Sequence, residues 1–120
     1  MDIAAPLPAA TVMDVVQGLN IWIDRASYQE YLRRFVDLYG GTVRAMRESL
    51  AQGYRPAATA LAHKLSGVAA NLALPEVRRL AEQVERVLLT ELDASVELQQ
   101  LDAAMGLALA EIECFLQIAE

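Results

Sequence analysis

Apolar residues recur at intervals of three and four through most of the chain, the spacing of helices that bury one stripe of their surface. The longest run is at the end, where Leu98, Leu101, Met105, Ala108, Ile112 and Phe115 predict a helix over 94–118 capped by Asp93. Tyr28, Tyr31, Leu32, Phe35, Leu38 and Tyr39 share one face of a helix over 27–39, opened by the capping box Ser27–Glu30. Gly40 and Gly41 interrupt it, and a piece over 42–52 turns Val43, Met46 and Leu50 inward before Gly53 stops it. One helix kinked at Gly40-Gly41 is the alternative to two separate pieces. Pro56 suits the first turn of a helix that runs to about Leu72. Ala73-Leu74 is a tight connection, and Pro75 opens a helix to about Leu89. Upstream, Leu7, Val12, Val15, Val16 and Leu19 suit a short amphipathic helix behind a loose arm over 1–10.

Runs of Val, Ile, Thr and aromatics that would favour strands are scarce. Connections this short force neighbouring helices to run antiparallel. The expected fold is therefore all-α: an antiparallel up-and-down four-helix bundle with an additional short N-terminal helix. The 120 residues suit a single domain over 1–120, with no internal repeat or linker.

Charge narrows the partners. The net charge is −6, with the ten Lys and Arg scattered along the chain, so nucleic acid and anionic membrane are not expected to bind. Cys114 is the one cysteine; on an apolar stretch it reads as a buried, inert thiol. No apolar run approaches the roughly 20 residues that cross a bilayer, and the start carries Asp2 and no basic residue, unlike a secretory signal. A cytoplasmic, monomeric protein is expected. Met1 and a closing helix suggest a stand-alone protein, the alternative being an excised domain of a hybrid kinase.

His63 is the single histidine. On a helical wheel Val68, Leu61, Leu72 and Leu65 fall about 140° to 200° from it. That ridge is the expected buried face, so His63 points to solvent. Thr59, Ala60, Gly67 and Ala70 lie within about 60° of it. Gly67, one turn on, costs a helix interior about 1 kcal/mol relative to alanine. Lys64 and Asn71 sit on one flank, about 80° to 100° round. Singly, each has a bland reading: a surface histidine, a glycine at a helix contact, solvated polar side chains. Together they outline a nucleophile on low ground with a cation beside it.

Three roles are open to such an imidazole. A metal ligand wants companions, and no Asp or Glu stands three or four residues after His63. A general base wants a pocket with a nucleophile and oxyanion donors. A covalent carrier needs exposure, a nearby positive charge and access for a partner, and this role fits best.

The stretch Ala62-His63-Lys64-Leu65-Ser66-Gly67, then Asn71-Leu72, Leu80-Ala81 and Val84-Glu85, resembles the histidine-containing phosphotransfer (HPt) domain family, whose usual signature is A-H-x-L-K-G. The resemblance spans roughly residues 19–90, including Tyr28–Phe35 as the helix ahead of the active one. It implies that His63 accepts a phosphoryl group from a receiver-domain aspartate and passes it to another receiver. It further implies that Gly67 clears space for the receiver and that Lys64 stabilises charge. The usual lysine is Ser66 here, whose hydroxyl could donate one hydrogen bond, and the usual glycine near 73 is Ala73. The expected docking face comprises Thr59, Ala60, His63, Lys64, Gly67 and Ala70, with Glu82 and Arg86 from the next helix. The expected partners are receiver domains of response regulators or hybrid sensor kinases. No cofactor of its own is implied, Mg²⁺ being expected on the receiver. A non-catalytic adaptor that binds a receiver or kinase without carrying phosphate is the alternative, and a metal- or cofactor-binding bundle a third.

Overall fold

The structure, a computed structural model, describes residues 13–15, 17–18 and 24–119. The arm expected over 1–10 lies outside the described residues, as does most of the helix expected over 7–19; Val15, Gln17 and Gly18 of that stretch are helical. The described residues form helices and turns without a strand: α1 (Arg25–Tyr39), α2 (Thr42–Ala51), α3 (Arg55–Asn71), α4 (Pro75–Leu89) and α5 (Ser95–Ala119). They make an elongated all-α bundle of 49 × 26 × 20 Å. No described helix is long and apolar enough to cross a membrane.

The helix ends explain the layout. α1 begins earlier than the Ser27 capping box predicts: Asp24 is the N-cap, its carboxylate accepting from the amide of Ala26 at 3.1 Å and the hydroxyl of Ser27 at 3.0 Å. A carboxylate both satisfies an orphan amide and complements the positive end of the helix, which leaves Ser27 inside the first turn. Gly40 keeps helical dihedrals and donates its amide to the Val36 carbonyl at 3.1 Å, whereas Gly41 departs at φ −102°, ψ 13°. α1 and α2 are thus one leg kinked at two glycines, and with α3, α4 and α5 they make four legs.

Turns of one type follow α2 and α3. At the end of α2 the Tyr54 amide reaches back to the Ser49 carbonyl (2.8 Å), with Gly53 left-handed at φ 83°. At the end of α3 the Leu74 amide reaches the Ala69 carbonyl (2.9 Å), with Ala73 left-handed at φ 60°. Both are Schellman ends. An alanine there carries a strain of about 1 kcal/mol that a glycine would not, and its methyl is buried.

The core takes Tyr28, Leu32 and Phe35 from α1, Met46 from α2, Leu65 from α3, Val77 and Val84 from α4, and Leu101 and Ile112 from α5. Two expectations for α1 fail: Tyr31 and Leu38 are exposed. They lie about 60° to 80° to one side of the line through Tyr28, Leu32, Phe35 and Tyr39, outside the stripe one neighbouring layer can cover. Cys114 is exposed too, not buried, because it falls about 200° round α5 from Ile112.

Tyr28 joins three parts of the molecule. Its ring lies 5.9 Å from that of Phe115 on α5, and its hydroxyl donates to the Leu72 carbonyl at 3.0 Å, at the end of α3. Burial, aided by the charge of Asp14, pushes the phenol up from 10.0 to about 12. The folded protein therefore favours the neutral form. The resulting stability is complete below about pH 10 and is lost as pH rises to about 12. Tyr28→Phe is expected to lose about 1 kcal/mol at neutral pH through the missing hydrogen bond. It should also lack this group's share of the alkaline decline. Urea unfolding at a series of pH values measures both.

Candidate functional site

α3 and α4 pack against each other more extensively than any other pair of described helices. α3 buries Ala58, Ala62, Leu65, Ser66 and Ala69, while Leu61 and Val68 are only half-buried. The buried face is thus centred about 60° round the helix from the leucine ridge. Small side chains meet α4 there, and small side chains at a helix contact let the axes approach. The rotation leaves His63 outside: its side chain is 76% exposed.

The close approach of α4 brings in a residue that the wheel of α3 alone cannot show. Glu85 Oε2 lies 3.0 Å from His63 Nδ1, and the carboxylate is only 23% exposed. A carboxylate accepts, so in the neutral ring Nδ1 carries the proton and the Nε2 lone pair is free, facing away from α4. Glu85 stands in the Val84-Glu85 pair of the sequence resemblance, but its contact with the ring depends on how two helices pack. The expectation that His63 lacks a carboxylate partner held only within its own helix.

The other site residues divide by position. Lys64 is exposed and makes no ion pair with a described residue; on the wheel it flanks His63 on the side away from Glu85. Gly67 and Ala70 are exposed, and a Cβ built on Gly67 would meet nothing within 4 Å, so no contact among the described residues asks for a glycine. Ser66 departs from expectation. It is buried, and its hydroxyl donates to the His63 carbonyl at 2.8 Å, the back-bonding typical of a helical serine, so it does not reach toward the ring. Asn71 is exposed two turns on, about 12 Å along the axis.

A groove of about 630 Å³ runs beside His63 between α3 and α4, lined by Pro56, Thr59, Ala60, Glu85, Leu88 and Leu89 among others. Of the expected docking residues it takes in Thr59, Ala60 and His63 and leaves out Lys64, Gly67, Ala70, Glu82 and Arg86. Glu82 is paired with Arg78 at 3.2 Å, and Arg86 is exposed. Leu88, a core residue, and the exposed Leu89 at the end of α4 also reach the groove wall; the sequence analysis assigned neither to the site. Among the described residues no three of His, Cys, Asp and Glu converge as a metal cluster would require.

A helical bundle that holds one oriented imidazole out to solvent, on a surface of small side chains, has the form of a group carrier served by other proteins. The comparisons agree with that class. The model of the Hpt domain family matches residues 30–114, and the chain belongs to that family, whose work is phosphotransfer in two-component signalling. No curated protein and no solved structure gave a match.

The hydrogen bond makes a spectroscopic prediction. Free imidazole in water prefers the proton on Nε2, whereas acceptance by Glu85 selects the Nδ1–H form. Nitrogen-15 spectra of the ring should show Nδ1–H as the major form in the wild type. Glu85→Ala should return the ring to the free preference, and Glu85→Gln, which retains an acceptor, should keep Nδ1–H in the majority.

Proposed function

We propose that the chain is a phosphorelay intermediate that carries a phosphoryl group on Nε2 of His63, taken from an aspartate of one receiver domain and handed to an aspartate of another. The observation that carries this reading is the solvent-facing Nε2 of a ring whose Nδ1 is engaged by Glu85. In the transfer the Nε2 lone pair attacks phosphorus as the bond to the aspartyl oxygen breaks, and that electron pair stays on the aspartate. The ring gains positive charge as the nitrogen–phosphorus bond forms. The Nδ1 proton need not leave, because the Glu85 carboxylate already faces it and offsets the charge.

The transition state of phosphoryl transfer is loose, with charge spread over three oxygens, so positioning and cations do most of the work. On this chain Lys64 is the cation next to His63. The inward hydroxyl of Ser66 leaves the rest to the receiver, with its Mg²⁺. The open space at Gly67 supports a steric role: the missing side chain benefits a visiting domain, since none of the described residues occupies that volume.

Incubation with phosphorylated receiver domains should place an acid-labile, alkali-stable phosphate on the wild type and none on His63→Gln. A wild type that takes no label from any receiver would sink the proposal. Binding without label would favour the adaptor reading, which the absence of a lysine at position 66 motivates. The glycine has its own test. Gly67→Leu should leave thermal stability equal or slightly higher, since leucine is the better helix former by under about 1 kcal/mol. It should slow transfer by about a hundredfold, some 2.7 kcal/mol of barrier, as read by the rate of label uptake from a receiver.

A further inference from the structure

α5 carries a face that the transfer site does not use. Val96, Gln100, Ala103, Leu107, Ala110 and Cys114 recur at alternating intervals of four and three and are all exposed, the spacing of a helix that packs along another helix. Within about 60° of Ala103 on the wheel this face carries no charged side chain over about six turns. The outer faces of α1 and α4 differ: Glu30, Arg33 and Arg34 are exposed on one, Arg78, Arg79 and Arg86 on the other. A surface depleted of charge, with Leu107 54% and Val96 63% exposed, has the composition of an interface core. Beside it, between α4 and α5, runs a groove of about 470 Å³. Its floor is the buried Leu80 and Ala104, its walls Gln83 and Gln100, and its rim Glu76 and Arg79, paired at 2.6 Å.

We infer that this face and groove form the interface of a homodimer. Two copies of α5 pack antiparallel about a two-fold axis near Met105, and each Leu107 enters the partner's groove. Such a dimer departs from the monomer expected of the sequence and is independent of the phosphorelay reading.

The face is complementary to itself. About an axis at position 105, Leu107 stands opposite the partner's Ala103, Val96 opposite the partner's Cys114, and Gln100 opposite the partner's Ala110. Each larger side chain thus meets a smaller one. Parallel pairing would instead set leucine on leucine and alanine on alanine, leaving gaps. A Cβ built on Gly106 would meet nothing within 4 Å, so the two axes can approach closely where they cross. The rim matches as well. α4 runs antiparallel to α5, which puts Glu76 toward the Leu107 end of the groove and Arg79 nearer Ala103. The two-fold then brings each Glu76 toward the partner's Arg79, and the ion pair within each chain extends across the seam. The charge of −6 on each chain is carried outside this seam, and salt screens it beyond about 8 Å. α3 lies diagonally across the bundle from α5, so the dimer leaves both copies of His63 uncovered.

Sedimentation velocity over a concentration series tests the interface. The wild type should reach the mass of a dimer at micromolar concentration. Leu107→Glu should weaken association at least about tenfold, the scale of losing one apolar anchor. It should keep the helical circular dichroism and melting temperature of the wild type, because position 107 is exposed in the single chain. Leu38→Glu, at an exposed position on α1, should dimerise like the wild type. Arg79→Glu and Glu76→Arg should each associate more weakly alone, since like charges then meet across the axis. An equal mixture of the two should recover the dimer, each chain supplying the charge that the other lacks. A wild type that stays monomeric throughout the series overturns the dimer. A dimer indifferent to Leu107→Glu, or a mixture that fails to recover, overturns this face as its seam. Label uptake by His63 is a separate measurement, and its failure would bear on the relay reading alone.

Discussion

The site depends on the packing of α3 against α4. The His63–Glu85 hydrogen bond does not hold these helices together: a contact with one partner this exposed contributes at most about 1 kcal/mol. The causation runs the other way. Ala58, Ala62, Ala69 and Leu65 on α3 and Val77, Leu80, Ala81 and Val84 on α4 are buried, and the burial of that apolar area brings the helices together. Their approach leaves Glu85 next to the imidazole. With a bulkier seam the same histidine would be a solvated surface side chain.

Once the ring is held this way its two nitrogens have different tasks. One is tied to a half-buried carboxylate and the other is open to whatever approaches. The surface around the open nitrogen is kept low by glycine and alanine, with Lys64 on the flank. The chain thus presents an oriented imidazole on low ground and little else around it. Ser66 shows how fine the balance is. A hydroxyl is short enough to bond the carbonyl one turn back and turn inward, which a lysine at that position would not do.

The ends of the helices matter for the site as much as their seams. Schellman turns after α2 and α3 reverse the chain within a few residues, so α3 and α4 form a tight antiparallel pair. Arg55 ties the start of α3 to the carbonyls at the end of α4. Tyr28 ties α1 to the connection between them. Both tethers act at the ends of the pair that carries His63 and Glu85. The groove between them is accordingly a feature of a braced structure.

Most of the architecture was legible in the residues because it rests on local rules. Helical periodicity, glycine and proline punctuation and short connections place α2, α3, α4 and α5 within a residue or two, and the exposure of His63 follows from the ridge opposite it. The misreadings share a cause. Leu38, Tyr31 and Cys114 are apolar residues assigned to a buried face, but how wide a stripe is covered depends on which neighbours pack there. The buried face of α3 turns toward its alanines for the same reason: large side chains dominate a wheel, whereas small ones win at a close helix contact. Histidine, glycine, lysine and the bundle were determined by sequence alone. The partner of the imidazole, the inward turn of Ser66 and the groove at Leu89 were decided only by tertiary structure, because each depends on the distance between two helices, which no single helix encodes.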